Sequence, residues 1–280
     1  MEANPHVAAA YHHQMRGLEV VRWVGGSTVV LRQDIALNYE APFLFLLLGA
    51  DRALLLDTGA TADPARFGLR DAVDELIGTD TELIVSHSHA HGDHVAADGQ
   101  FVDRPHTTTV GHAPEQVAAF FGVDAWPTGS GAVDLGGRVL TVLPIPGHHP
   151  ASIAIHDPAT SLLLTGDTVY PGRLYVRDFP AFLASLDRLC DFADTHPVEQ
   201  ILGAHIEMST TPFRDFPLGS VRHPAEQTLA MTVAQLHEIR DAARSVADSP
   251  GAHRFADFAI WNGPSRGALA WQLMRRALRR

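Results

Sequence analysis

Residues 86–94 read "SHSHAHGDH", four histidines and an aspartate in nine positions. Histidine is an unusual filler for a loop, and the spacing His89-x-His91-x-Asp93-His94 is what singles this one out. In an extended segment alternate side chains share a face, so His89 and His91 can reach one point together. A turn into helix near Gly92 would carry Asp93 and His94 to a neighbouring spot. Imidazoles and a carboxylate suit Zn, and also Fe or Mn. The apolar run just before, "ELIVS" (82–86), reads as the strand that delivers the loop.

Short β-type runs dominate the chain on the N-terminal side of this loop. They are "LEVVRWV" (18–24), "STVVLRQ" (27–33), "PFLFLLLG" (42–49) and "RALLLDTG" (52–59), separated by Gly, Asp and Asn turns. A helix is expected across 63–78. Beyond the loop a second series opens with "RVLTVLPIPG" (138–147), passes through "ASIAIHD" (151–157) and "SLLLTGD" (161–167), and leads to a helix over 179–194. There Phe179, Phe182, Leu183, Leu186, Leu189 and Cys190 form one apolar stripe, which makes Cys190 a core residue and not a nucleophile. A strand at "QILGA" (200–204) and a Pro- and Phe-containing loop (209–224) follow. Segments 225–247 and 264–280 read as helices, the terminal arginines being a solvated face with a favourable charge at a helix C-terminus.

Strand series, helix, strand series, helix implies two packed sheets with helices outside. No linker, low-complexity tract or tandem repeat interrupts the chain. The expectation is a single domain over 1–280, with 224–280 as a C-terminal helical extension packed on it.

Composition narrows the function classes. A 280-residue chain that is 46% hydrophobic and 19% charged can bury a substantial core. Its net charge of −11 argues against a nucleic-acid partner, which would want a basic face. One cysteine excludes an internal disulfide framework and fits a reducing compartment. The longest apolar stretch, "APFLFLLLGA" (41–50), is too short to span a bilayer. The first twenty residues lack a cationic start followed by an apolar run. A cytoplasmic location, no membrane partner and a small-molecule substrate are therefore expected; the oligomeric state is left open.

Metal ligands are scattered in sequence and gathered by the fold, so the other strand ends matter. "PIPGHHPAS" (144–152) ends an apolar run with His148 and His149, "LLLTGDTVY" (162–170) ends another with Asp167, and "QILGAHIEM" (200–208) a third with His205. With Asp57 in "LLLDTGA", "HAHGDH", "PGHHPAS", "GDT" and "GAH" in that order, the chain resembles the metallo-β-lactamase-fold hydrolases over roughly residues 18 to 210. The resemblance implies an α/β fold of the αββα four-layer sandwich type. It implies one metal held by His89, His91 and His148, a second by Asp93, His94 and His205, and Asp167 as the bridge. His148 is preferred over His149 because the pattern puts its ligand directly after Pro-Gly. Asp57 resembles the carboxylate that orients the metal loop. His87 is not a ligand in the pattern, and His6, His12, His13, His106, His112, His156, His196, His223, His237 and His253 match nothing in it.

The chemistry implied is a hydrolase with two divalent ions, Zn before Fe or Mn, sharing a hydroxide that attacks an ester, thioester or lactone. Asp93 would orient that hydroxide or carry a proton. A carboxylate at Asp167 resembles the glyoxalase II-like thioesterases and the lactonases more than the lactam-cleaving members. Tyr170 stands where lactonases of this fold carry a tyrosine that supports the substrate carbonyl or leaving group. It is a catalytic candidate beside the alternative of a tyrosine packed at a strand end. In "YPGRLYVR" (170–177), Arg173 and Arg177 are either carboxylate anchors or surface charges. Three other activities share the fold: a persulfide dioxygenase with one Fe on His89, His148 and Asp167, a phosphodiesterase or nuclease, and a β-lactamase. The complete second set of ligands counts against the first, and the acidic balance against the nucleases.

Overall fold

The computed structural model describes residues 14–263 and Met274. The N-terminal half lays down β1 (Gln14–Met15), β2 (Leu18–Val24), β3 (Thr28–Gln33), β4 (Phe43–Leu48) and β5 (Arg52–Leu56). Helix α1 (Leu69–Ile77), β6 (Glu82–Ser86), the four-residue α2 (Gly92–Val95), a 3-10 turn (Asp98–Phe101) and β7 (Thr107–Thr109) follow. Next come α3 (Pro114–Phe121), β8 (Gly131–Asp134), β9 (Val139–Pro144), β10 (Ile153–Asp157), β11 (Leu162–Gly166) and β12 (Arg173–Val176). The chain continues with α4 (Phe179–Thr195), β13 (Gln200–Gly203), β14 (Ala230–Met231), α5 (Val233–Ser245), β15 (Gly251–Arg254) and β16 (Ala259–Asn262).

These strands form a seven-stranded sheet in the order β1 to β7 and a six-stranded sheet in the order β14-β13-β11-β10-β9-β8. Why their strands read as continuous apolar runs is visible in the packing. Successive side chains alternate faces, and both faces of the central strands are covered. In β5, Leu54 and Leu56 enter the core between the sheets, while Ala53 and Leu55 pack on the outer side with Phe67, Leu69 and Val73. In β10 and β11, Ile153, Ile155, Leu162 and Leu164 face inward, and Ala154 and Leu163 meet α4 and α5 through Leu186, Leu189 and Leu236. The result is the expected αββα sandwich. Each fully buried Leu contributes roughly 1.5–3 kcal/mol, so the central layers hold the fold and the strand-end loops are free to carry chemistry.

Strand direction decides where the loops gather. Strands β5 and β6 are parallel, so both end at one edge of the first sheet. In the second sheet β9 and β11 both run antiparallel to β10, and β13 runs parallel to β11. The loops after β9, β11 and β13 therefore leave from one edge too. Backbone bonds from Ile153 N–H to the Ser88 carbonyl (2.9 Å) and from Phe43 N–H to the Ala204 carbonyl (2.8 Å) tie the two edges together.

Several expectations change. The helix expected from residue 63 begins at Leu69, because Asp63 is spent on a turn whose side chain accepts from Ala65 N–H (2.9 Å). Up to residue 263, the segment expected as a helical extension holds one helix. Its 230–231 pair with β13, Thr232 and Gln235 then cap α5 reciprocally, and β15 and β16 join β12 in a three-stranded sheet. That sheet buries Phe258 and Ile260 against the α4–α5 core. Of the expected helix 264–280 only Met274 is described, and it is helical. Helix α4 agrees with its stripe: Asp178 caps it by accepting from Ala181 N–H, and Cys190 is fully buried, its thiol pushed up to about 11 by that burial.

Candidate metal centre

All seven residues singled out as ligands come together at the joined edges, in two groups. His89 and His91 leave the end of β6, and His148 follows β9. His89 Nε2 lies 2.8 Å from His91 Nδ1, which is 2.9 Å from His148 Nε2, so three ring nitrogens converge. The second group is Asp93, His94, Asp167 and His205. His94 Nε2 and His205 Nε2 stand 3.5 and 3.4 Å from Asp93 Oδ2.

Asp167 connects the groups. Its Oδ1 lies 3.4 Å from His94 Nε2 and 3.3 Å from His205 Nε2, while its Oδ2 lies 3.6 Å from His148 Nε2 and 3.9 Å from His89 Nε2. Each group thus receives one oxygen of the same carboxylate. Two glycines make this approach available. Gly166, just before Asp167, has φ +51, and a side chain there would strike Ser88. Gly147, just before His148, has φ +140 with the Phe182 backbone at 2.5 Å from where a Cβ would sit.

The far sides of the His94, His148 and His205 rings are held. His148 Nδ1–H donates to the Tyr175 carbonyl (2.7 Å) and His205 Nδ1–H to the Glu40 carbonyl (2.8 Å). Asp57 Oδ2 accepts from His94 Nδ1–H (2.9 Å) and from the Ser88 hydroxyl (2.8 Å), and its Oδ1 from Ser88 N–H (2.7 Å). Asp57 is buried and sits at φ +70, a conformation a side chain rarely adopts. These bonds set Nδ1 outward and leave Nε2 of His94, His148 and His205 facing the cleft.

The charge balance follows from the same contacts. Burial opposes ionisation of Asp167, but the neighbouring charges of His205 and His94 outweigh it and hold the carboxyl well below its usual range. Asp93 is held low in the same way. Burial also opposes charge on His94 and His205, yet the carboxylates of Asp57, Asp167 and Asp93 push both well up. Burial, then the neighbouring imidazoles, push His89 down and His91 down to about 4, so both stay neutral with lone pairs to offer.

The donors fit divalent ions: three nitrogens in one group, two nitrogens and two carboxylates in the other. His94 Nε2, His205 Nε2 and Asp167 Oδ1 are buried without a hydrogen-bond partner in the protein, a cost that a coordinated cation removes. The model of the Metallo-beta-lactamase superfamily matches residues 41–205, more than half of the 280. The chain belongs to that superfamily.

Relatives agree with the metallo-beta-lactamase assignment. The chain is 37% identical to the human acyl-coenzyme A thioesterase MBLAC2 over 78 residues, covering 26% of this chain and 28% of that protein. It is 29% identical to the hydroxyacylglutathione hydrolase of Rhizobium meliloti (strain 1021) over 143 residues, 49% of this chain and 55% of that one. It thus spans less than two thirds of the length of these relatives. A metallo-beta-lactamase from Pontibacter korlensis matches in fold, with a TM-score of 0.55 and 14% identity over 81% of this chain and 99% of that chain.

The remaining candidates fall differently. His149 is left outside both metal-facing groups: its Nδ1 accepts from Ala151 N–H (3.1 Å), and its ring lies 5.0 Å from that of His91. Tyr170 is 1% exposed, and its hydroxyl donates to the Arg173 carbonyl and lies 3.1 Å from Glu207 Oε2. In this structure it is a buried brace whose ring lies 5.7 Å from that of His205. Arg173 is likewise buried, paired with Glu207 and with Asp215 Oδ2 at 3.2 Å, so it is no free anchor. Arg177 is exposed and adds positive charge near His91 and His149. A third set, His87, Asp98 and His112, also converges, and the sequence pattern did not flag it. No helix among the described residues is long and apolar enough to cross a membrane.

Proposed function

We propose that this protein is a dinuclear metal-dependent hydrolase, zinc being the simplest ion, that cleaves the thioester bond of a small molecule. The carrying observation is Asp167, which offers one oxygen to each ligand group. His89, His91 and His148 would hold one ion, Asp93, His94 and His205 the other, with Asp167 between. When bound, two such ions would make a water nucleophilic near neutral pH, its pKa falling to about 7, and would polarise the substrate carbonyl.

The chain's own residues do the rest. Asp93 is ionised and part-exposed at the mouth of the site, an acceptor suited to orient the nucleophile. A carboxyl so easily ionised is a poor proton donor to a leaving group. Tyr170, the other donor considered, has its hydroxyl committed to Arg173 and Glu207. A thiolate leaves without a proton, whereas an alkoxide from an ester or lactone needs one. The names of the relatives, a thioesterase and a hydroxyacylglutathione hydrolase, point the same way.

The test is metal counting followed by a panel of thioesters, lactones, β-lactams and phosphodiesters. Two Zn at the central groups and turnover fastest on thioesters are expected. A single Fe, with no second metal and oxygen consumed on persulfides, would overturn the reading.

A further inference from the structure

His87 leaves the end of β6 two residues before His89, Asp98 opens the 3-10 turn, and His112 follows β7. Their ligand atoms all lie within 4.8 Å of one another. His87 Nε2 is 2.8 Å from Asp98 Oδ1 and His112 Nε2 is 3.0 Å from Asp98 Oδ2, so one carboxylate faces two imidazoles. The rings of His87 and His112 stand edge-on, centroids 4.8 Å apart at 89°. The central group repeats this arrangement: His89 and His91 lie at 4.6 Å and 84°, His91 and His148 at 4.7 Å and 82°. One nitrogen of each ring, Nε2, faces the same carboxylate, so the three side chains converge as a ligand set does.

Two further observations fit a bound cation. The Thr58 hydroxyl donates to Asp98 Oδ1 (2.7 Å), fixing the carboxylate from behind as Asp57 fixes His94. A small cavity beside the rings, lined by His87, His89, Ala90, Gly111, His112 and Val117, is about the size of a single water and leaves room for one at a fourth position. We infer that His87, Asp98 and His112 form an additional divalent-metal site with an open fourth position. Two imidazoles and one carboxylate make a Zn-type donor set. An ion there ties the start of the histidine loop to β7 and to the turn behind α2, bracing the central centre from outside.

The test compares zinc content of the full chain and of His112→Ala. Both are stripped with chelator, reloaded in zinc-buffered solution, freed of loose metal by gel filtration and counted by mass spectrometry. His112 is 43% exposed at its side chain, so its loss leaves the fold intact. The parent is expected to hold one Zn more than His112→Ala, and Asp98→Asn to lose the same equivalent. The difference of one is expected again when Asp167→Ala is added to parent and variant, which separates this site from the central pair. Equal zinc in parent and His112→Ala would overturn the inference, whatever the count at the central groups.

Discussion

Asp57→Asn tests how the metal groups are held, because it changes one oxygen into an amide and nothing else in shape. The amide oxygen can still accept from Ser88 N–H, now 2.7 Å from Asp57 Oδ1. Its NH2 then faces His94 Nδ1, where Asp57 Oδ2 now accepts at 2.9 Å. Two donors cannot share that contact. His94 must either lose the bond or move its proton to Nε2, the nitrogen that faces Asp93 and Asp167. Either way the ring is a worse ligand. A hydrogen bond to a charged group is worth about 1.5–3 kcal/mol, which is on the order of 10- to 100-fold in metal affinity, the usual scale for partners behind a ligand. Asparagine tolerates the positive φ of this position, so the backbone is retained. Competition with a chromophoric chelator reads the affinities of the two central ions separately. Weakening of the ion on His94 and His205, with the His89 group little changed, is expected. Unchanged affinity for both ions would refute the claim that Asp57 sets the His94 tautomer.

Other outcomes follow from the same geometry. Asp167→Ala should lower metal content from two at the central groups to one or none, with activity falling together, as measured by metal analysis on the purified protein. His148→Ala should abolish turnover while His149→Ala stays within a few-fold of the parent; the reverse order in an activity assay would exchange their roles. Tyr170→Phe should cost about 1–3 kcal/mol in denaturant unfolding, since Glu207 and the Arg173 carbonyl lose a buried partner. At matched metal content its thioester turnover should hardly change, and a hundredfold loss would put the hydroxyl back on the substrate. Burial would raise the Glu226 carboxyl, but hydrogen bonds from Arg32 (2.6 and 2.7 Å) and His223 (2.9 Å) outweigh it and hold it down to about 2. Its folded value lies below the unfolded one, so its stabilisation is full above about pH 4.5 and is lost as pH falls toward 2. Glu226→Gln should flatten that part of the stability profile, and an unchanged acid limb would remove Glu226 from the account.

The sequence by itself determined the parts of this protein that depend on local spacing. Apolar runs of strand length marked β2 to β6, β9 to β11 and β13, because most positions in them are buried, all of them in β10 and β11, while polar residues such as Glu19 and Glu82 fall where a strand meets solvent. The His89-x-His91-x-Asp93-His94 spacing works on one strand end and one turn, so it is readable without any partner. His148, Asp167 and His205 were legible because each stands where an apolar run stops. Tertiary structure decided what depends on segments far apart in the chain. Strands β15 and β16 are short and mixed in character, and become strands through pairing with each other and with Arg173–Val176. The direction of the Tyr170 hydroxyl depends on Glu207, 37 residues on. Asp98 and His112 meet His87 only because β6 and β7 run parallel and the 3-10 turn is folded between them. No periodicity encodes such a meeting, since it is fixed by how strands pair and rings orient and not by spacing along the chain.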